Sequence, residues 1–131
     1  MSYIDSGKSE GATVHLGGGR YGSEGYFIEP TIFTDTRSDM KIVKEEIFGP
    51  VGVVIKFEDD EDVIKQANGT VYGLAAAVFS TNIQRALKAA HALHAGTAWV
   101  NCINSLNPQI PFGGYKQSGI GRELGEYALA K

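Results

Sequence analysis

The chain has few of the features that mark secreted or membrane-bound proteins. It contains one cysteine, Cys102, which excludes an intramolecular disulfide framework and indicates a reducing compartment. No window approaches the roughly 18 to 20 uninterrupted apolar residues of a membrane span, and no basic stretch at the N-terminus leads into the apolar run of a secretory signal. We therefore expect a soluble, cytoplasmic protein. The mitochondrial matrix is the alternative, in which case a transit peptide would lie upstream.

A basic cluster is also lacking. The chain carries 12 Lys and Arg residues against 15 Asp and Glu residues, a formal net charge of −3. This composition predicts no positively charged surface that would attract nucleic acid or an anionic membrane. We predict a small molecule or another protein as the partner, and neither nucleic acid nor a membrane. With 43% hydrophobic residues in a length of 131 residues, a folded core of domain size is expected.

Apolar strands and helices alternate in the middle of the chain. Three segments are apolar along most of their length, as strands covered on both faces require; they are residues 51–57, 74–79 and 97–100. An acidic first turn predicts a helix from residue 58 that Asn68-Gly69 stops, and capping residues 80–82 predict a second helix that Gly96 ends. This order predicts an α/β fold built on a parallel βαβαβ sheet segment.

The flanking segments are less regular. We predict a short helix over residues 2–10, a strand over 12–16, a loop over 102–121 and a short helix over 122–129. Residues 25–33 form an extended segment in this prediction. Pro30 favours a position at the edge of a sheet for that segment, because proline cannot donate a ladder hydrogen bond.

Residues 44–51, Lys-Glu-Glu-Ile-Phe-Gly-Pro-Val, are the strongest candidate for a binding edge. A carboxylate held just before a Gly-Pro turn can accept both hydroxyls of a ribose diol, and Glu45 and Glu46 occupy that position. Phe48 adds an aromatic ring that could pack against a flat ring of a ligand. The alternatives stay open at this point: the two glutamates also fit a charged helix end, and Phe48 also fits the core.

Other residues with chemical potential have simpler interpretations. His91 and His94 lie three apart on a predicted helix, but no third ligand is spaced to complete a zinc site, so we predict a solvated surface and no metal. Asn68-Gly69-Thr70 matches the glycosylation pattern and is interpreted as a helix stop. Cys102 starts a loop without an identifiable activating base, cation or helix N-terminus beside it, which favours a half-buried structural cysteine over a nucleophile.

Several segments together resemble the NAD(P)-dependent aldehyde dehydrogenase superfamily, in the order that the family has them. They are residues 25–31, 44–51, 72–79, 96–101, 111–119 and 121–127. The resemblance implies oxidation of an aldehyde to a carboxylic acid, with hydride passing to NAD or NADP. It also implies that a cysteine thiolate attacks the carbonyl to form a thiohemiacetal and then a thioester, which water hydrolyses.

The resemblance assigns roles to individual residues. Glu46 matches the residue that holds the nicotinamide ribose, and Phe48 matches the aromatic near the nicotinamide end. Phe112 matches an aromatic of the substrate tunnel, and Leu106 stands where some members carry an aromatic in the substrate channel. Glu123 matches a carboxylate that lies, in some members, in a proton path to the general base.

The departures from the family pattern are as informative as the matches. Cys102 follows the Trp-Val-Asn strand and does not match the nucleophile, which in the family precedes all the segments above. The nucleotide fold, the nucleophile loop and the general base would lie before Met1, and a final oligomerisation strand would follow Lys131. We therefore expect residues 1–131 to be a single incomplete domain, the C-terminal portion of the catalytic domain, and to lack activity alone.

The resemblance leaves some alternatives open. The parent enzyme is expected to be a homodimer or homotetramer acting on an aldehyde. One alternative is a relative that forms a CoA ester or an acyl phosphate. Another is a non-enzymatic folded fragment that serves as an interaction or antigenic module.

Overall fold

The computed structural model describes residues 1–129, and the chain divides into two compact units between Phe57 and Glu58. The first unit contains two helices and three strands; they are α1 (Ser2–Ser9), β1 (Thr13–Leu16), β2 (Thr31–Thr34), α2 (Lys41–Lys44) and β3 (Val51–Val53). The prediction that residues 1–131 form one incomplete domain remains a prediction. Each unit is described below by itself.

The sheet of the first unit has the order β1-β2-β3. β1 pairs with β2 in antiparallel fashion, and β2 pairs with β3 in parallel, with Thr31 opposite Val51. The prediction of an edge position for the Pro30 segment is therefore wrong, since β2 is the central strand. Pro30 precedes the first strand residue, so its missing N–H interrupts no ladder, and the Thr31 N–H donates to the Pro50 carbonyl at 2.9 Å.

Phe33 is the centre of the core of the first unit. Its ring is fully buried, together with Ile4, Met40 and Ile42. Gly7 of α1 lies directly against this ring, because a Cβ at that position would come within 2.9 Å of the Phe33 Cζ atom. A helix that carried a larger residue there would have to move away from the sheet.

Glu10 joins α1 to α2. Its Oε1 accepts a hydrogen bond from the Ser6 hydroxyl, and its Oε2 accepts one from the Lys41 N–H at 2.9 Å. The Ser6 bond, followed by the Lys41 bond, holds the pKa of Glu10 below its ordinary value of 4.5. Because the pKa of the folded state lies below that of the unfolded state, the stabilisation is present above the unfolded pKa and is lost as the pH falls through the folded pKa.

We expect Glu10→Gln to lower the unfolding midpoint in urea at neutral pH. The deficit should shrink as the pH falls below the ordinary Glu pKa, because the wild-type carboxylate then becomes protonated as well. Unfolding curves of both proteins at a series of pH values measure this convergence. Glu24→Gln is the control, since Glu24 is exposed in a loop. A deficit that is independent of pH would contradict the assignment to the ionised carboxylate.

The second unit has a parallel βαβ motif at its centre. Its elements are α3 (Asp60–Asn68), β4 (Tyr72–Gly73), β5 (Ala75–Val78), α4 (Ile83–Ala92), β6 (Thr97–Val100), β7 (Tyr115–Lys116) and a 3₁₀ helix (Glu126–Leu129). β5 and β6 pair in parallel with Ala75 opposite Thr97, and α4 connects them. β4 pairs with β7 in antiparallel fashion.

The mixed α/β fold confirms the predicted class. The first strand of the predicted βαβαβ segment belongs to a different sheet from the other two strands. β3 is shorter than residues 51–57 and pairs with β2. One reason for its short length is Asp35, which follows β2 with a φ of +52° and turns the partner strand away. The predicted loop over residues 102–121 contains the short strand β7. Within residues 1–129 no helix has the length and apolar character needed to cross a membrane.

The two central helices begin where their capping residues predict. The Asp59 side chain accepts from the Asp62 N–H at 2.9 Å, and the Asn82 side chain accepts from the Arg85 N–H at 3.0 Å. α4 nevertheless ends at Ala92, before the predicted stop at Gly96. The reason is tertiary: the backbone N–H of His94 donates to Asn68 at the end of α3 and does not continue the helix.

Candidate functional site

Glu46 and Phe48 are both exposed in the segment that follows α2. The helix ends at Lys44, and Glu45 has an extended backbone with φ −104° and ψ 151°. Ile47 is half-buried and packs against the core of the first unit, whereas Glu46 is exposed and Phe48 is 89% exposed. The half-buried Ile47 thus anchors the segment to the core, while its neighbours Glu46 and Phe48 are exposed to solvent.

Two tight turns hold this segment in place. The Gly49 N–H donates to the Ile47 carbonyl at 3.0 Å, and the Val51 N–H donates to the Gly49 carbonyl at 2.8 Å. The carbonyl of Pro50 then accepts from Thr31, the first residue of the central strand. The Gly-Pro turn is thus tied to the sheet, which restricts the segment that carries Glu46.

The structure distinguishes the two adjacent glutamates. Oε2 of Glu45 accepts from the Tyr3 hydroxyl at 2.9 Å and lies 3.9 Å from the Lys41 Nζ atom. Among the described residues, the carboxylate of Glu46 has no hydrogen-bond or ion-pair partner. The charged-helix-end interpretation therefore fits Glu45, and Glu46 keeps both oxygens for an external donor. The alternative that places Phe48 in the core is wrong, because its ring is exposed.

Phe112 and Glu123 meet in the second unit. Each donates its backbone N–H to the carbonyl of the other at 2.7 Å, which forms an isolated antiparallel bridge. Both residues line an open cavity of about 410 Å³, together with Leu74, Gly113, Gly114, Ser118, Gly121 and Arg122. Phe112 is half-buried and Glu123 is exposed. The structure thus brings together two of the residues that the resemblance singled out.

Arg122 supports this cavity and was missed at the level of sequence. Its Nη1 donates to the Gly114 carbonyl at 2.8 Å and to the Gly121 carbonyl at 2.9 Å. Its guanidinium lies 5.1 Å from the centre of the Tyr115 ring. A Cβ on Gly113 would come within 2.3 Å of the Gly121 carbonyl oxygen and 2.6 Å of the Arg122 Cδ atom, so the backbone contact requires glycine at this position. The only sequence signal was an arginine next to a glycine-rich loop.

Leu106 lies elsewhere on the second unit. It is 55% exposed and is not one of the described residues that line the cavity of Phe112. Its loop is anchored by Trp99, whose indole Nε1 donates to the Ser105 carbonyl at 2.9 Å. Its role in substrate binding therefore stays a prediction.

Cys102 is exposed, so the prediction of a half-buried cysteine is wrong. The reason is the backbone of Asn101, whose φ of +55° turns the chain out of β6, and residues 101–110 are all exposed. His91 and His94 are exposed as well. Within residues 1–129, no group of three His, Cys, Asp or Glu residues lies close enough together to hold a metal ion.

Comparison with known proteins establishes the family. The sequence profile of the aldehyde dehydrogenase family matches residues 1–131, and the chain belongs to this family. An aldehyde dehydrogenase from Agaricus bisporus is 74% identical over 129 residues, which are 98% of this chain and 26% of that protein. The resemblance predicted from the sequence motifs is therefore confirmed.

Solved structures agree with the fold. A variant aldehyde dehydrogenase from Bacillus cereus superposes with a TM-score of 0.93 at 58% identity, covering 98% of this chain and 26% of that chain. A Bacillus cereus aldehyde dehydrogenase in complex with NAD⁺ has a TM-score of 0.91 at 57% identity with the same coverage. The chain thus spans about a quarter of the length of these relatives.

Proposed function

We propose that this chain is part of an enzyme that oxidises an aldehyde to a carboxylic acid with NAD or NADP. In this proposal Glu46 holds the nicotinamide ribose and Phe48 packs near the nicotinamide. The observation that carries it is the carboxylate of Glu46, which is exposed and without a partner among the described residues, beside an exposed aromatic. The solved complex of a relative with NAD⁺ supports the choice of cofactor.

The residues present fit the end of such a cofactor. An ionised carboxylate offers two acceptor oxygens, which suit the two hydroxyl donors of a ribose diol. An aromatic face suits a flat ring beside that diol. When bound, the cofactor supplies a hydride acceptor. The contribution of Glu46 and Phe48 is to orient its ribose and ring, since the tight turns at Gly49 restrict the segment that carries them.

The second unit is proposed to face the aldehyde. Phe112 would present its ring to the substrate, and Glu123 would pass a proton towards the general base. Their shared bridge and cavity support a common site. Leu106 is proposed as a substrate-channel residue, on the strength of the family resemblance. The parent enzyme is proposed to act in the cytoplasm as a homodimer or homotetramer.

The decisive experiment compares the 131-residue chain with a chimera. In the chimera, this chain replaces the matching 129 residues of the Agaricus bisporus aldehyde dehydrogenase. We expect NAD(P)H formation from short aldehydes by the chimera and none by the chain alone, because the chain does not supply the nucleophile that forms the acyl-enzyme. Turnover by the chain that survives Cys102→Ala would contradict the proposal, as would a folded but inactive chimera.

The same assay separates the alternatives. A requirement for CoA or inorganic phosphate would indicate an acylating relative. The folded-module alternative predicts a cooperative thermal transition for the isolated chain, and a chimera that folds but gives no turnover would favour it.

A further inference from the structure

Asn68 joins the ends of two helices in the second unit. Its Nδ2 donates to the carbonyl of Ala92 at 2.8 Å, and its Oδ1 accepts from the N–H of His94 at 2.7 Å. The Asn68 backbone carbonyl also accepts from the Nζ atom of Lys116 at 3.0 Å. Both polar atoms of the side-chain amide are therefore held, one by Ala92, the last residue of α4, and the other by His94, two residues further on.

Gly69 follows Asn68, and an Asn-Gly pair has a specific chemical liability. The backbone nitrogen of the glycine can attack the Asn Cγ atom, which forms a five-membered imide and releases ammonia. Water then opens the ring at either carbonyl, so the product is a mixture of Asp and isoaspartate. The attack is easiest before glycine, because glycine has no Cβ to obstruct the ring closure.

The fold opposes this reaction in two ways. The attacking nitrogen of Gly69 is engaged, since its N–H donates to the Gln66 carbonyl at 3.0 Å. The amide that would be attacked is fixed by Ala92 and His94 and cannot rotate towards Gly69 without breaking both bonds. Each of these contacts belongs to the helix ends, so the protection lasts only while α3 and α4 remain docked.

We propose that Asn68-Gly69 is a deamidation site at which the folded structure suppresses the reaction and unfolding permits it. The products cannot restore both native contacts. A carboxylate at position 68 has no donor for the Ala92 carbonyl, and the two oxygens repel one another. Isoaspartate also lengthens the backbone at the end of α3. If deamidation occurs during a transient opening of the second unit, the side-chain contacts of residue 68 that join the ends of α3 and α4 are therefore permanently weakened.

The test follows deamidation of the 131-residue chain in buffer and across a urea series at mildly alkaline pH, using peptide mapping that separates Asn, Asp and isoaspartate. Circular dichroism of the same samples reports the folded fraction. We expect the rate at Asn68 to rise at least about tenfold from buffer to full unfolding, since a protected group reacts only in the open molecules. Asn104-Ser105 lies in an exposed loop and is the internal reference; its rate should change little.

Two variants test the mechanism. Lys116→Met removes a donor from the end of α3 and should raise the rate at Asn68 in buffer, whereas Lys88→Met on the exposed surface of α4 should not. Gly69→Ala should slow the reaction in urea; its φ of −75° is compatible with alanine. Equal rates at Asn68 in buffer and in urea, or no effect of Gly69→Ala in urea, would overturn the proposal.

Discussion

Glu46→Gln in the chimera is expected to weaken binding of NAD(P) by about 10- to 160-fold. The estimate follows from the roughly 1.5 to 3 kcal/mol of a hydrogen bond to a charged group, at about 1.36 kcal/mol for each factor of ten. The substitution keeps the size of the side chain and removes the charge that both hydroxyls of the ribose would use. Cofactor titration, together with the KM for NAD(P) from initial rates, measures the loss.

The adjacent Glu45 provides a matched control. Glu45→Gln makes the same chemical change one residue earlier, at a carboxylate that already accepts from Tyr3 within the first unit. We expect this variant to change stability slightly and to leave cofactor affinity near that of the unmodified chimera. If both variants weaken cofactor binding equally, the effect comes from the net charge of the segment and the assignment to Glu46 is wrong.

Phe33→Ala is expected to lower the free energy of unfolding by about 3 to 5 kcal/mol, the usual range for removing a buried phenylalanine. The Phe33 ring is fully buried, and α1 approaches it at Gly7 with no side chain between them. The deleted ring leaves a cavity that the surrounding sheet and helix cannot close completely. Urea unfolding, followed by circular dichroism, measures the change.

Phe48→Ala is the control for Phe33→Ala. Phe48 is 89% exposed, so the same substitution there should change stability by no more than about 0.5 kcal/mol. Phe33→Leu keeps most of the apolar volume, so it should lower the free energy of unfolding less than Phe33→Ala does. This variant can still be measured if the alanine variant does not fold. Equal losses in the free energy of unfolding at Phe33 and Phe48 would contradict the placement of Phe33 at the centre of the core.

Local sequence signals predicted the starts of α3 and α4 but not the short helix α2. Asp59 and Asn82 cap the starts of α3 and α4 through their own side chains, and such contacts span only three residues. β6 coincides with the predicted segment from Thr97 to Val100. The end of α4 was predicted less well, because His94 forms its bond with Asn68, which lies 26 positions earlier in the chain.

The residues of the candidate site were likewise predicted only in part. The sequence predicted Glu46, Phe48, Phe112 and Glu123 as site residues through the family resemblance. It did not predict Arg122, whose contacts with Gly114 and Gly121 exist only when the loop folds back on itself. Without the resemblance, the local pattern did not separate Glu45 from Glu46, since the Tyr3 hydroxyl that engages Glu45 comes from a helix 42 positions earlier.

By itself, the sequence determined the family, the α/β class and the starts of the central helices, because these depend on motifs and on contacts between near neighbours. Only the tertiary structure decided that the strand after Pro30 is central, that Cys102 is exposed and that Asn68 ties two helix ends. The first and third outcomes depend on which distant groups pair, and the second depends on how the chain turns at Asn101, where φ is +55°. The hydrogen bonds behind these outcomes join residues that are far apart in the chain, so a motif of near neighbours does not specify them.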